Sequence, residues 1–298
     1  MLFTSPIVPE DYERFAPAFL AENSECSELS FNTTYLWQGS FASAACMHGS
    51  RLILKSTAGH HCAYSFPIGG GELAPAIDAI SEDAAENGCP LVIRCITPEN
   101  RQKLEAAFPG RFTFFENRDA FEYVYTADSL AELSGKKLHA KRNHINRFIS
   151  EYDWSFAPLT PEDIPECRSM SRVWASENEG KSGIGFYMDL AALETAFRDY
   201  ERLSLIGGIL RVSGKTAAFT IGSRINSDTF DVHFEKAFTG VDGAYTMINR
   251  EFVRYVRSIM PDINYINRED DMGSEGLRKA KLSYHPDHMV LKYTAREK

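Results

Sequence analysis

TFDVHFEKAFTGVDGAYTMINREFVRYVRSI, residues 229–259, decides the fold. Its first nine residues, Thr229 to Ala237, alternate in polarity, and strand side chains alternate between faces, so they predict a strand. Phe230, Val232 and Phe234 are expected on the core face. Asp231, His233 and Glu235 are expected together on the other. Lining a cleft, those three groups would shift one another's pKa and serve as acid or base. Facing water, they would be ordinary surface charges, and the pattern alone leaves both readings open. Alternate positions along one strand splay apart, so no metal site is expected from them. The strand runs into a glycine-containing turn, Phe238 to Gly243, and then a helix, Ala244 to Ile259. A strand, a turn and a helix N-terminus present free backbone N–H groups to an anion. Tyr245 and Asn249, four apart, share a face of that helix.

Upstream, Leu203 to Val212 and Thr216 to Ile225 read as strands joined to each other and to Thr229 by Ser213-Gly214 and Asn226-Ser227-Asp228, both hairpin signals. Trp154 to Ala157 is a further strand. Pro161 to Glu177, with Thr160 as N-cap, and Ala191 to Glu201 are helices. The glycine-rich loop between them, Glu179 to Gly185, reads as a plain loop or a substrate loop. Downstream come a strand Ile263 to Ile266, a short helix Glu275 to Lys281 and a last strand Met289 to Tyr293. The first half has a similar order. Pro9 to Leu20 and Ser30 to Trp37 are helical, and Ser43 to Met47 and Arg51 to Lys55 form a hairpin. Cys62 to Pro67 is a strand ended by Gly69-Gly70-Gly71, a turn or a phosphate-cradling loop. Helix Glu72 to Asn87, strand Leu91 to Ile96, helix Pro98 to Phe108 and strands Phe112 to Phe115 and Ala120 to Tyr125 follow. This is mixed α/β with a largely antiparallel sheet, not a doubly wound order, and the element pattern occurs twice. Domains are expected at 1–133 and 153–298, with 134–152 connecting them.

The connecting stretch is the one strongly basic segment of an acidic chain, which carries net charge -9. Ser134 to Ile149 reads SGKKLHAKRNHINRFI, with Lys136, Lys137, Lys141, Arg142 and Arg147 on an expected helix. Leu138, Ile145, Ile149 and Tyr152 make its apolar seam. The cationic face suits an anionic ligand or is a solvated linker. The acidic balance argues against wholesale nucleic-acid coating but leaves room for one local basic site. Six cysteines without a CxxC pair read as reduced core thiols. With no apolar run of about 20 residues and no signal-peptide pattern, a cytoplasmic protein is expected.

A third cluster runs from Asn267 to Tyr284, NREDDMGSEGLRKAKLSY, where Asp270 and Asp271 precede a helix bearing Arg278, Lys279 and Lys281. Together KKLHAKRNHINRF, DVHFEKAFTGVDGAYTMINREF and NREDDMGSEGLRKAKLSYHP resemble the soluble relatives of the phosphatidylglycerol lysyltransferase C-terminal domain. The resemblance implies two tandem GNAT-type acyltransferase folds, as in Fem-type peptidyltransferases. It also implies transfer of an aminoacyl group from aminoacyl-tRNA to a lipid head group or a peptidoglycan precursor. Two departures stand out. Gly243 would take the middle Gly of the CoA-binding [QR]-x-x-G-x-[GA] loop, leaving Gly240 and Tyr245 in its outer places, so acyl-CoA is poorly supported as donor. The membrane-spanning half of the lipid-modifying enzymes is absent from this sequence, so a lipid acceptor is in doubt. The resulting expectation is an aminoacyl- or acyltransferase without a bound cofactor, acting on a small-molecule, lipid head-group or peptide acceptor. His233, Glu235, Asp231 and Tyr245 would be catalytic, and Lys137, Lys141, Arg142, Arg147, Asn249, Arg278, Lys281 and Tyr284 would hold substrate. The rival expectations are a non-catalytic module for an anionic ligand or protein partner, and an acyl-CoA N-acyltransferase.

Overall fold

The computed structural model describes residues 3–41, 43–58, 61–178 and 184–298. The elements in chain order are α1 (Tyr12–Glu22), α2 (Phe31–Phe41), β1 (Ala44–His48), β2 (Arg51–Ala58), β3 (His61–Ser65), β4 (Ile68–Gly69), α3 (Ala74–Glu86), β5 (Val92–Ile96), α4 (Pro98–Ala107) and β6 (Phe112–Glu116). Next come β7 (Glu122–Thr126), α5 (Ala127–Glu132), α6 (His139–Glu151), β8 (Trp154–Pro158), α7 (Ile164–Asn178), α8 (Ile184–Arg198), β9 (Ile206–Val212), β10 (Lys215–Arg224) and β11 (Thr229–Ala237). The chain ends with α9 (Ala244–Ile259), β12 (Tyr265–Asn267), α10 (Glu275–Leu282), β13 (His288–Val290) and β14 (Tyr293–Glu297).

Among the described residues these strands form two seven-stranded sheets. One has the order β1-β2-β3-β5-β14-β6, with β4 on β2. The other has the order β13-β7-β12-β11-β10-β9-β8. In the first, β3 and β5 are parallel and flank α3 in sequence. In the second, β11 and β12 are parallel and flank α9. Both parallel strands then meet an antiparallel neighbour, β14 on β5 and β7 on β12. The twofold pattern read from the sequence is thus present in the pairing.

Contacts divide the chain elsewhere than at residue 133. One unit takes the chain up to Glu122, Asp270–Gly273 and Val290–Lys298; the other takes Tyr123–Glu269 and Ser274–Met289. Burial explains the shift. Tyr123, Tyr125, Leu130 and Leu133 all enter the core of the second unit, as do Leu138, Ile145 and Phe148 of the basic helix. The expected last strand, Met289 to Tyr293, is two strands. β13 ends in the second sheet and β14 fills a place in the first. Ile149, expected in the apolar seam of α6, is 46% exposed, and Phe148 takes its place. α8 begins at Ile184 rather than Ala191. Of the expected loop Glu179 to Gly185, residues 179–183 lie outside the described residues. The glycine triplet at 69–71 forms a turn clasped by Arg51, which donates to the carbonyls of Pro67, Gly71 and Glu72.

The centre of the second unit is β10–β11 under α9. Ala244, Met247, Ile248, Phe252, Val253 and Val256 of α9 are buried at helical spacing, and Phe252 meets Phe230 edge-on. β11 is not the regular strand its alternation suggests. Its register to β10 shifts between Ile221 and Gly222, so Ile221 pairs Phe234, Gly222 pairs Val232, and His233 has no partner. A bulge of one residue reverses the faces beyond it. Phe230, Val232 and Ala237 therefore join the core under α9, while Phe234 does not. Gly222 permits this geometry, because a Cβ there would strike the Asp231 carbonyl and the Phe230 ring.

Candidate functional site

The bulge splits the polar residues of β11 into two groups. Asp231 and His233 stay together. Glu235 turns toward α9 and accepts from Asn249 Nδ2 at 3.1 Å. The single polar face expected at Asp231, His233 and Glu235 is thus corrected, and none of it is a solvated surface. Asp231 is 0% and His233 6% exposed. β12 pairs β11 only from Thr229 to Asp231, whereas β11 runs on to Ala237. The two strands therefore form a fork, and Arg268 and Glu269, which follow β12, belong to its second arm.

In the first group His233 is held at both nitrogens. Nε2 lies 2.8 Å from Ser223 Oγ, and Nδ1 lies 3.2 Å from Asp231 Oδ2 and 3.3 Å from Glu269 Oε1. Burial alone would push the imidazole pKa down, but the two carboxylates override it and raise it to about 9. His233 is thus an imidazolium at neutral pH. Burial and the Asp231 charge push Glu269 up to about 7. Its side chain is 20% exposed, so of the three it is the one that reaches solvent. Glu269 sits at φ 54, a left-handed conformation, fixed by its N–H donating to the buried Asn267 side chain at 2.7 Å. Holding a non-glycine residue there costs about 1–2 kcal/mol. Ser223, His233 and Asp231 have the connectivity of a hydrolase triad, but Ser223 is 3% exposed and serves as an anchor.

In the second group Glu235 also accepts from Arg268 Nη2 at 2.8 Å. Arg268 lies 5.0 Å from the Tyr284 ring centre, and the Lys141 ammonium covers the same ring at 3.8 Å. Burial and the Arg268 charge lower the Lys141 pKa to about 8. Two cations therefore share one aromatic ring, and one of them, Arg268, holds the carboxylate. Among the described residues, Arg268 Nη1 and Asn249 Oδ1 are buried and find no hydrogen-bond partner. Left so, each would cost about 1–3 kcal/mol, so the pair asks for a molecule offering an acceptor and a donor.

The sequence matches the family described as phosphatidylglycerol lysyltransferase, C-terminal, over residues 21–296. The chain belongs to that family. A Bacteroides thetaiotaomicron protein of unknown function has the same fold, with 39% identity, TM-score 0.94 and 99% of each chain covered. The L-PGS structure from Bacillus licheniformis is 16% identical with TM-score 0.61, covering 93% of each chain. FemX is 9% identical with TM-score 0.62, covering 99% of this chain and 97% of that one. The expected pair of tandem GNAT-like folds is thus present. A curated relative from Mycoplasmoides gallisepticum is 25% identical over 177 residues, and the chain spans only 54% of its length.

In this member of the phosphatidylglycerol lysyltransferase C-terminal family, the expected site residues separate. Asp231 and His233 form one group; Glu235, Asn249, Lys141 and Tyr284 form the other. Tyr245 stands beside them, accepting from Trp174 Nε1 at 3.1 Å, and burial raises its pKa. Lys281 donates to the Arg268 carbonyl at 2.6 Å and so braces the fork. Arg142 is consumed by structure, donating to the carbonyls of Leu133 and Gly135 after α5. Arg147 is exposed and paired with Glu151 and Asp242. Lys137 is exposed and Arg278 half-buried on α10. Sequence reasoning missed Arg268, Glu269 and Ser223. The available signal was Asn267-Arg-Glu directly after an apolar strand; Ser223 had none. Asp231, His233 and Glu269 offer three ligand atoms within 4.8 Å of one another, as do Cys26, Glu28 and Glu122 in the first unit. In the latter the Lys292 ammonium already sits on Glu28 and Glu122, at 2.6 and 3.0 Å. No described helix is long and apolar enough to cross a membrane.

Proposed function

We propose that the fork of the second unit transfers an aminoacyl group from an activated ester, with aminoacyl-tRNA as donor, to an amine or hydroxyl acceptor. The observation that carries this reading is the pair of groups side by side on β11. A carboxylate poised near neutrality lies in one, and an unsatisfied cationic donor, Arg268 Nη1, lies in the other. Membership of a family named for lysyl transfer supports the aminoacyl class.

The acceptor X–H attacks the ester carbonyl and its proton passes to Glu269. Ionised Glu269 is a base matched to neutral pH. The His233 imidazolium, pinned by Ser223 and Asp231, keeps Glu269 oriented. Arg268 Nη1 and Lys141 hold the developing oxyanion; one such donor is worth about 2.7–4 kcal/mol in other acyl transfers. Asn249 Oδ1 accepts from an N–H or O–H of the substrate. When the tetrahedral intermediate collapses, the C–O bond of the donor breaks and protonated Glu269 returns its proton to the leaving oxygen. The test is incubation of the full chain with a panel of labelled aminoacyl-tRNAs and amine, hydroxyl, lipid and peptide acceptors. Transfer that Glu269→Gln lowers at unchanged donor binding supports the reading. Absence of both transfer and donor binding across the panel refutes it.

A further inference from the structure

Outside the fork, the thiols of Cys62 and Cys89 are in direct contact. Cys62 lies near the start of β3, and Cys89 follows the Asn87-Gly88 turn that ends α3. Alternation puts Cys62 on the same face of β3 as Tyr64. Tyr64 donates to Asp83 of α3 at 2.6 Å, and Lys55 of β2 donates to the same oxygen. The face of β3 that bears Cys62 is therefore the face covered by α3, and Cys62 meets Cys89 at that helix's end. The two sulfurs are 2.6 Å apart, against about 2.05 Å for a bond. Neither cysteine is in a disulfide, and they are 7% and 8% exposed, but Cys89 is flanked by exposed Gly88 and Pro90. A small oxidant thus has access from the loop side.

We propose that Cys62 and Cys89 form a reversible dithiol–disulfide site that cross-links β3 to the end of α3. With a low-molecular-weight disulfide such as oxidised glutathione, one cysteine thiolate attacks the reagent. A mixed disulfide forms and one glutathione thiolate leaves. The second cysteine then attacks the mixed disulfide and releases the other glutathione. Two S–H bonds and one S–S bond become one S–S bond and two S–H bonds, and two electrons pass to the reagent. Burial and the adjacent Cys89 thiol push Cys62 up to about 11, so the exchange is slow at neutral pH. The proposal is independent of the transferase reading.

The test uses the full chain, treated with oxidised glutathione, quenched in acid and mapped by mass spectrometry without reduction. The expected product is a Cys62–Cys89 peptide, with titratable thiols falling from six to four and returning to six with dithiothreitol. Cys62→Ala and Cys89→Ala should each abolish the cross-link and leave a glutathione adduct on the remaining partner. Oxidation should raise the thermal midpoint of the first unit by about 5 °C, since a loop of this size is closed. Six titratable thiols after prolonged oxidation would overturn the proposal. A cross-link joining another pair, such as Cys26 and Cys95, would do so too. So would a lowered midpoint, which would mean that the bond forms only after local unfolding.

Discussion

β3 and β11 occupy the same place in two similar sheets, and they end differently. β3 pairs β5 through Tyr64 and Ser65 and stops there. β11 pairs β12 through Asp231 and continues for six more residues, bulged at His233. One parallel pair is therefore closed and the other is a fork. The buried charges follow the same division. In the first unit Lys292 donates to Glu28 and Glu122, and Ser27 also donates to Glu122, so the group closes on itself. In the second unit Arg268 and Asn249 meet at Glu235 and each keeps one atom unsatisfied. A self-satisfied buried network fixes structure; one with unmet donors and acceptors is built for something else.

Removing the central cation from each network should expose that difference most strongly. Arg268→Met leaves Glu235 buried beside Asn249 alone, and Lys292→Met leaves Glu122 likewise. Each should cost about 3–5 kcal/mol of stability, read by denaturant unfolding. At temperatures where both remain folded, only Arg268→Met should abolish transfer. Equal loss of transfer in both variants would break the comparison. Glu269→Gln should reduce transfer about 10²–10³-fold with little change in thermal midpoint, measured by single-turnover kinetics. Gly222→Ala should cost about 1–3 kcal/mol and displace His233, since its Cβ meets backbone. A crystal structure or the His233 NMR resonances would detect the displacement.

The pH profile is a gentler probe. Glu269 must be ionised and His233 protonated, so transfer should rise through pH about 7 and fall above about 9. Both folded-state pKa values lie above the unfolded ones. Both groups therefore stabilise the fold most fully at low pH, below about 4.5 for the carboxylate and 6.5 for the imidazole. That stability is lost as pH climbs through about 7 and then about 9. The limbs belong to the coupled trio, and Asp231→Asn should move the upper one down. Smallest of all, Arg147→Ala should leave transfer and stability unchanged, because its exposed ion pairs contribute little.

Alternation in Thr229–Ala237 made the polar residues of β11 legible, and the apolar spacing of α9 and the hairpin turns made the sheet legible. The bulge was not, because it depends on Gly222 opposite, ten residues away on another strand. Nor was the partition of cations legible. Charge alone favoured Arg142 and Arg147, yet one caps a loop and the other faces water. Arg268 and Glu269, in a stretch that reads as a connection, complete the site only because β12 ends at Asn267. Sequence spacing cannot reveal which carbonyl or carboxylate a long side chain will find.

The separation of β13 from β14 has a consequence for how the molecule is made. β14 lies between β5 and β6, one strand in from the edge of the first sheet, yet residues 293–297 leave the ribosome after every strand of the second sheet. Until then the edges of β5 and β6 that β14 fills stay open, although about 175 residues have been synthesised since β6. The first unit thus closes last, its folding gated by a contact of very long sequence separation.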